Sequence, residues 1–183
     1  MTTFTIPTKE TAAPASAALF ANLENGLGFL PNLYAYIGHS PNALANYLAF
    51  QQGQTKGAFK AREREAINLV VSQVNGCRYC QSAHTALGKL NGFSDEEILG
   101  LRAGQSGEAR LQAIVTLAAD ITRTQGHPSP ASLVAFFAQG YDQAALVDLV
   151  SLIADKILSN FLHNITRIAI DFPVAPELEA VEA

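Results

Sequence analysis

Glu65-Ala66-Ile67-Asn68-Leu69-Val70-Val71-Ser72-Gln73-Val74-Asn75-Gly76-Cys77-Arg78-Tyr79-Cys80-Gln81-Ser82-Ala83-His84 decides the fold of this chain. Up to Val74 its apolar residues Ile67, Val70, Val71 and Val74 recur at three- and four-residue spacing, the period of a helix with one buried face. Asn75-Gly76 then stops the run. Such a pair also marks β-hairpins, but helix-like flanks on both sides point to a helix C-terminus. A second helix is expected from about Cys77 to Leu90, where Gly92 breaks it.

The same reading extends outward. A helix is expected from Pro14 to about Asn25, ended by Gly26 and Gly28, and another over Pro31 to Ile37. Ser40-Pro41 starts one that runs to about Gln52, with serine at the cap and proline at the first helical position. The helix before the cysteines spans Phe59 to Val74. Ser94 and Glu97 form a capping box opening a short helix to about Arg102. Glu108 to Thr124 is helical by period, and Ser129-Pro130 and Asp142 start two more. The last is expected to reach about Ile170, with a break near Asn160. No run shows strand alternation, so the fold class is all-α: a single helical domain over 14–172, an extended lead-in at 1–13 and a loose tail at 173–183. A weak internal echo lays Ala66–Ser72 on Ala145–Ser151 and His84 on His163, with Lys156 and Ser159 where the cysteines fall. A duplicated helical unit with one active copy would produce it.

Composition narrows the function. Hydrophobic residues make up 49% of the 183 and charged residues 15%, which leaves apolar area to bury between subunits, so a homo-oligomer is expected. The 12 Lys+Arg are scattered and the net charge is -4, so nucleic acid is not an expected partner. The first residues lack a basic region and a long apolar run, so no signal peptide is expected. The longest apolar stretches are broken by Asp, Lys, Asn or His, so no transmembrane helix is expected. Two cysteines make no disulfide scaffold at this size. In a reducing cytoplasm, the expected location, such a pair is catalytic, redox-sensing or metal-binding.

The chemistry gathers at Cys77, Cys80 and His84. At about 100° per residue the three lie within roughly 60° of one another on one helix stripe. Cys80 and His84 are i,i+4 neighbours, close enough for a thiol–imidazole hydrogen bond. Both cysteines sit in the first turn, where free N–H groups and the macrodipole favour a thiolate. A thiol of pKa about 8.5 is only ~3% ionised at pH 7, and a pKa near 6.5 would raise that roughly 25-fold. The two-unit drop costs about tenfold in nucleophilicity, so the net gain is only a few-fold. If an O–O bond is cleaved, positioning and a proton for the departing oxygen matter more, by ~10²–10⁴. That argues for His84 and a nearby carboxyl group. Helix position alone permits either cysteine as the nucleophile.

The run from Glu65 to Cys80, followed by His84, resembles the signature of the alkylhydroperoxidase D / carboxymuconolactone decarboxylase family. Gly28-Phe29-Leu30-Pro31-Asn32-Leu33 and His39-Ser40-Pro41 resemble the lead-in of its peroxidase-related branch. The core of the likeness covers about Ala61 to Gly92. It implies an all-helical fold, a homo-oligomer (trimer or hexamer) and a dithiol peroxidase acting on organic hydroperoxides without a cofactor. By analogy Cys80 attacks the peroxide, Cys77 resolves the sulfenic acid to a disulfide, and His84 and Glu65 relay protons. A partner dithiol, lipoyl- or thioredoxin-like, reduces the enzyme again. The chain departs from the family's best-known peroxidase in carrying Tyr79 where that protein has a histidine. Glu65 also points nearly opposite to the apolar stripe, so periodicity alone makes it a solvated glutamate. Glu63 lies nearer the stripe and is the fallback.

Competing readings exist for each feature. The cysteines could be two small buried side chains. A closed zinc site needs a fourth ligand, and His39, His127 and His163 are remote in sequence. Haem attachment needs a histidine directly after Cys80, where Gln81 stands. His163, Phe136-Phe137 and Phe161-Leu162 read as core or subunit contacts, and Arg62-Glu63-Arg64-Glu65 as a solvated helix start. Functionally, the alternatives to a peroxidase are a decarboxylase or lactone-processing relative and a redox-sensing oligomer.

Overall fold

A computed structural model describes residues 3–178. Among them are nine helices and no strand: α1 (Pro14–Leu27), α2 (Asn32–Ile37), α3 (Pro41–Gln54), α4 (Ala61–Val74), α5 (Arg78–Leu90), α6 (Asp95–Arg102), α7 (Ala109–Arg123), α8 (Pro130–Ala138) and α9 (Gln143–Thr166). The start signals act as expected. Ser40 accepts from the Ala43 N–H at 3.2 Å, and the Ser94 and Glu97 side chains close a reciprocal capping box.

The turn between α4 and α5 sets the site. Gly76 takes φ 65°, a left-handed conformation that disfavours any side chain, and nothing lies within 4 Å of where its Cβ would be. The requirement there is therefore conformational rather than spatial. The Gly76 N–H reaches the Gln73 carbonyl and the Cys77 N–H the Ser72 carbonyl at 3.0 Å, a Schellman closure. One residue later the chain re-enters a helix, with Cys77 as its cap.

Helix α4 is the axis of the molecule. It packs against α5, α6, α7 and α9, and Ala66, Ile67, Leu69, Val70 and Val71 are all fully buried. Two apolar clusters result. The larger joins α4 with α6, α7, α8 and α9; the smaller joins α1, α2 and α3 with the start of α5 and Ile168. The cysteines belong to the second cluster, on its border with the first.

Three expectations are corrected. Helix α9 runs through Asn160 without a break and ends at Arg167, whose φ of 49° terminates it. Asn160 is fully buried and accepts from Asn75 Nδ2 at 2.9 Å, so it bridges α9 to the α4–α5 turn rather than interrupting its own helix. The echo does not extend to the backbone either, because the region matching the α4–α5 turn lies inside α9. Finally, the tail is held as far as Pro176. Arg102, 1% exposed, donates to the Pro176 carbonyl at 2.7 Å, Arg78 donates to the Ala175 carbonyl at 2.8 Å, and the Ala175 N–H donates to Ser82 Oγ at 3.0 Å. The buried Arg102 guanidinium needs acceptors for its donors, and this segment supplies a carbonyl to it and another to the half-buried Arg78. The remainder of the expected tail, 179–183, lies outside the described residues.

Candidate active site

Cys77 caps α5, its Sγ accepting from the Cys80 N–H at 3.3 Å. Cys80, one turn in, faces a cavity of about 530 Å³, a volume typical of small-molecule sites. Cys77 is fully buried behind it and does not line the cavity; both are free thiols. The walls are largely aromatic and aliphatic, including Phe29, Tyr47, Tyr79, Leu87 and Phe172.

The remaining wall is polar and continuous. Tyr34 donates to Gln51 at 2.7 Å, and Gln51 donates to Asp155 at 3.2 Å. Asp155 lies 3.5 Å from Lys156 Nζ, which lies 3.3 Å from His84 Nε2. His84 Nδ1 is 2.8 Å from Glu65 Oε2, and Asn68 donates to the other Glu65 oxygen at 3.3 Å. Five helices contribute to this chain: α2, α3, α9, α5 and α4. A lysine ammonium only donates, so His84 Nε2 accepts and Nδ1–H donates to Glu65.

The two thiols are driven apart. The hydrogen bond from Cys77 pulls Cys80 down, burial opposes it, and the charge of Lys156 adds to the pull; the Cys80 thiol falls to about 6. Cys77 moves the other way, raised by its hydrogen bond to Cys80, by burial and by the Cys80 charge. Burial alone would raise the Glu65 carboxyl, but the facing His84, the Lys156 charge and the Asn68 hydrogen bond hold it below its ordinary value.

The four residues singled out from the sequence, Cys77, Cys80, His84 and Glu65, are therefore neighbours. Two details differ from expectation. The Glu65 side chain is 13% exposed rather than solvated, because α4 is covered on nearly every side and the face opposite its apolar stripe meets the cavity. His84 makes no hydrogen bond to Cys80 among the described residues, since Glu65 and Lys156 occupy its two nitrogens. Glu63, the fallback, does other work. It accepts from Lys60 N, Arg110 and the Tyr141 hydroxyl, capping α4 away from the cysteines, so three of the four residues Arg62–Glu65 are buried or line the cavity. Tyr79 is 3% exposed and its hydroxyl accepts from Leu33 N at 3.2 Å, tying α5 to α2. His163 is a core residue, donating to the Ile168 carbonyl at 3.2 Å and packing on Tyr79. Lys156, Asp155, Gln51 and Tyr34 were not legible as site residues. The signals were an Asp-Lys pair interrupting the apolar run from Leu152 to Leu158 and the weak echo that lays Lys156 on a cysteine position. Among the described residues no group of three or more His, Cys, Asp or Glu is arranged to hold a metal ion.

The chain is similar to known proteins in part of its sequence and in its fold. Residues 41–120 match the model of the carboxymuconolactone decarboxylase family. The Bacillus subtilis (strain 168) protein YdfG is 25% identical over 139 residues, spanning 74% of this chain and 90% of its own. Two solved structures share the fold at 19% identity. A peroxidase-related protein with an alkylhydroperoxidase AhpD core, from Ralstonia eutropha JMP134, has a TM-score of 0.82 over 92% of this chain and 91% of its own. The debrominase Bmp8 in its apo form has a TM-score of 0.78 over 93% of both chains.

Proposed function

We propose that this chain, whose residues 41–120 match the model of the carboxymuconolactone decarboxylase family and which has the AhpD-like helical fold, is a thiol-dependent peroxidase that reduces organic hydroperoxides. The observation that carries this reading is a thiol lowered to about 6, at a largely apolar cavity, beside a buried Glu65–His84 pair and a second thiol one turn away.

In the first step the Cys80 thiolate attacks the outer peroxide oxygen. An S–O bond forms, the O–O bond breaks, and the alkoxide leaves as an alcohol after taking one proton from the buried polar chain that ends at Glu65 and His84. Cys80 is then a sulfenic acid. In the second step the Cys77 sulfur displaces the sulfenic oxygen, which departs as water with the Cys77 proton, and a Cys77–Cys80 disulfide remains. The two electrons gained by the peroxide come from the two thiols. An external dithiol, lipoyl- or thioredoxin-like, returns them by exchange. Cys80 takes the first role because it faces the cavity and carries the lowered thiol, whereas Cys77 is held protonated behind it.

The test is turnover of cumene hydroperoxide with excess dithiol. Wild type is expected to cycle, Cys80→Ser to be inactive, and Cys77→Ser to stop after one equivalent unless the added thiol reduces the sulfenic acid directly. A single stoichiometric oxidation of wild type would favour a redox sensor. No reaction with peroxide, together with loss of a lactone, a carboxylate or an aryl bromide, would reassign the substrate.

A further inference from the structure

One charged group in the middle of that polar chain is buried and has not yet been given a role of its own. Lys156 comes from the middle of α9, is 4% exposed, and sits in a helix whose neighbouring positions Leu152, Ile153 and Ser159 are also buried. A buried ammonium costs several kcal/mol unless it is paired and hydrogen-bonded. Its hydrogen-bond partner is His84, at 3.3 Å, and Asp155 stands 3.5 Å away. Asp155 is itself drawn toward Gln51, at 3.2 and 3.4 Å. One lysine therefore serves a cavity that also holds Glu65 and Cys80, so its charge is shared rather than neutralised by a single carboxylate.

The geometry points to Lys156 as the positioning residue of the site: the buried counter-ion that keeps Cys80 as a thiolate, and the donor that fixes the His84 ring so that Nδ1–H faces Glu65. This deepens the peroxidase reading and rests on it for its catalytic meaning. It also explains why His84 is not bonded to Cys80. The imidazole is engaged end to end between a carboxylate and an ammonium, and that ammonium lines the same cavity as the Cys80 sulfur. The charges agree, since burial would lower the Lys156 ammonium, yet Asp155, Cys80, Tyr34 and Glu65 together raise it.

The titratable groups facing the thiol come from every element around it. They are Glu65 on α4, Cys77, Tyr79 and His84 on α5, Asp155 and Lys156 on α9, Tyr34 on α2 and Tyr47 on α3, with Arg64 also on the cavity wall. Of these, Lys156 and Arg64 are the lysine and the arginine, and the Arg64 guanidinium is engaged elsewhere, donating to the Phe59 carbonyl at 2.7 Å. Removal of Lys156 should accordingly move the Cys80 midpoint more than any other single change except loss of Cys77.

The experiment is the pH dependence of Cys80 alkylation by iodoacetamide, resolved from Cys77 by peptide mass spectrometry, with ultraviolet thiolate absorbance as a parallel readout. The midpoint, not the rate at pH 7, is decisive, because the loss of thiolate on raising the pKa is largely offset by higher nucleophilicity. Lys156→Met is expected to shift the midpoint up by roughly two units, toward the ordinary thiol value of about 8.5. Lys156→Arg, which keeps the charge, should restore most of it. Asp155 would be left unpaired in the methionine variant, so Lys156→Met with Asp155→Asn removes the ion pair together and serves if the single variant does not fold. A folded double or single variant with the wild-type midpoint overturns the assignment. Alkylation needs no peroxide, so a shifted midpoint without peroxide turnover would leave Lys156 in place and remove only the peroxidase reading.

Discussion

At the scale of the residue, the site separates two chemically identical thiols by where their hydrogen bonds run. The bond from Cys77 is the largest cause of the lowered Cys80 thiol, and the same bond raises Cys77. Wild-type alkylation at Cys80 should climb about tenfold per pH unit below about 6 and level off above it. In Cys77→Ala the plateau should begin at higher pH, and an unmoved plateau would reject the hydrogen bond as the cause. The sign also governs stability. A thiol ionised at about 6 when folded and about 8.5 when unfolded makes the reduced fold more stable as pH rises between those values, and the gain is lost on acidification through 6. Cys77, Cys80 and His84 were legible because they share one helical stripe. Glu65 was not legible from period, since its face of α4 becomes interior only when α5 and α9 pack there.

At the scale of the element, α9 is the informative one. Asn160 reads as a helix breaker in one dimension, yet its buried amide accepts from Asn75 Nδ2 at 2.9 Å and donates to Ser72 Oγ at 3.4 Å, fastening α9 to the turn that presents the cysteines. Asn160→Leu should preserve the helix but leave those two groups without partners, at a cost of about 1–3 kcal/mol in urea unfolding. A loss of helical circular dichroism localised to α9 would instead mean that the amide supports the helix itself. Start signals such as Ser40-Pro41 and Ser94 with Glu97 were legible because a cap is a local hydrogen bond needing no partner element.

At the scale of the whole molecule, one apolar surface stands out. Val147, Val150, Ala154, Leu158, Phe161 and Ile165 are exposed and spaced three or four apart along α9, a stripe of roughly 80° on the face opposite its buried residues. Val147 is 69% and Ile165 67% exposed, a poor arrangement for an isolated subunit in water. A homo-oligomer, as expected from composition, would cover this stripe, and we propose it as the contact. Sedimentation of Phe161→Glu should give a smaller species than wild type, and a wild-type monomer would remove the expectation. Among the described residues no helix is long and apolar enough to cross a membrane, so the stripe is not a spanning segment.

By itself, the sequence determined the helix periods, caps and stops, the all-α class and the placing of two cysteines and a histidine on one stripe, because each depends on residues within a turn or two of one another. Only the tertiary structure decided that Glu65 is the carboxylate and Glu63 a cap, that His84 turns to Lys156 rather than Cys80, and that Arg102 holds the segment through Pro176. Those outcomes depend on which faces of α4 and α9 meet. Burial and pairing of charge are properties of that meeting, and no local pattern carries them.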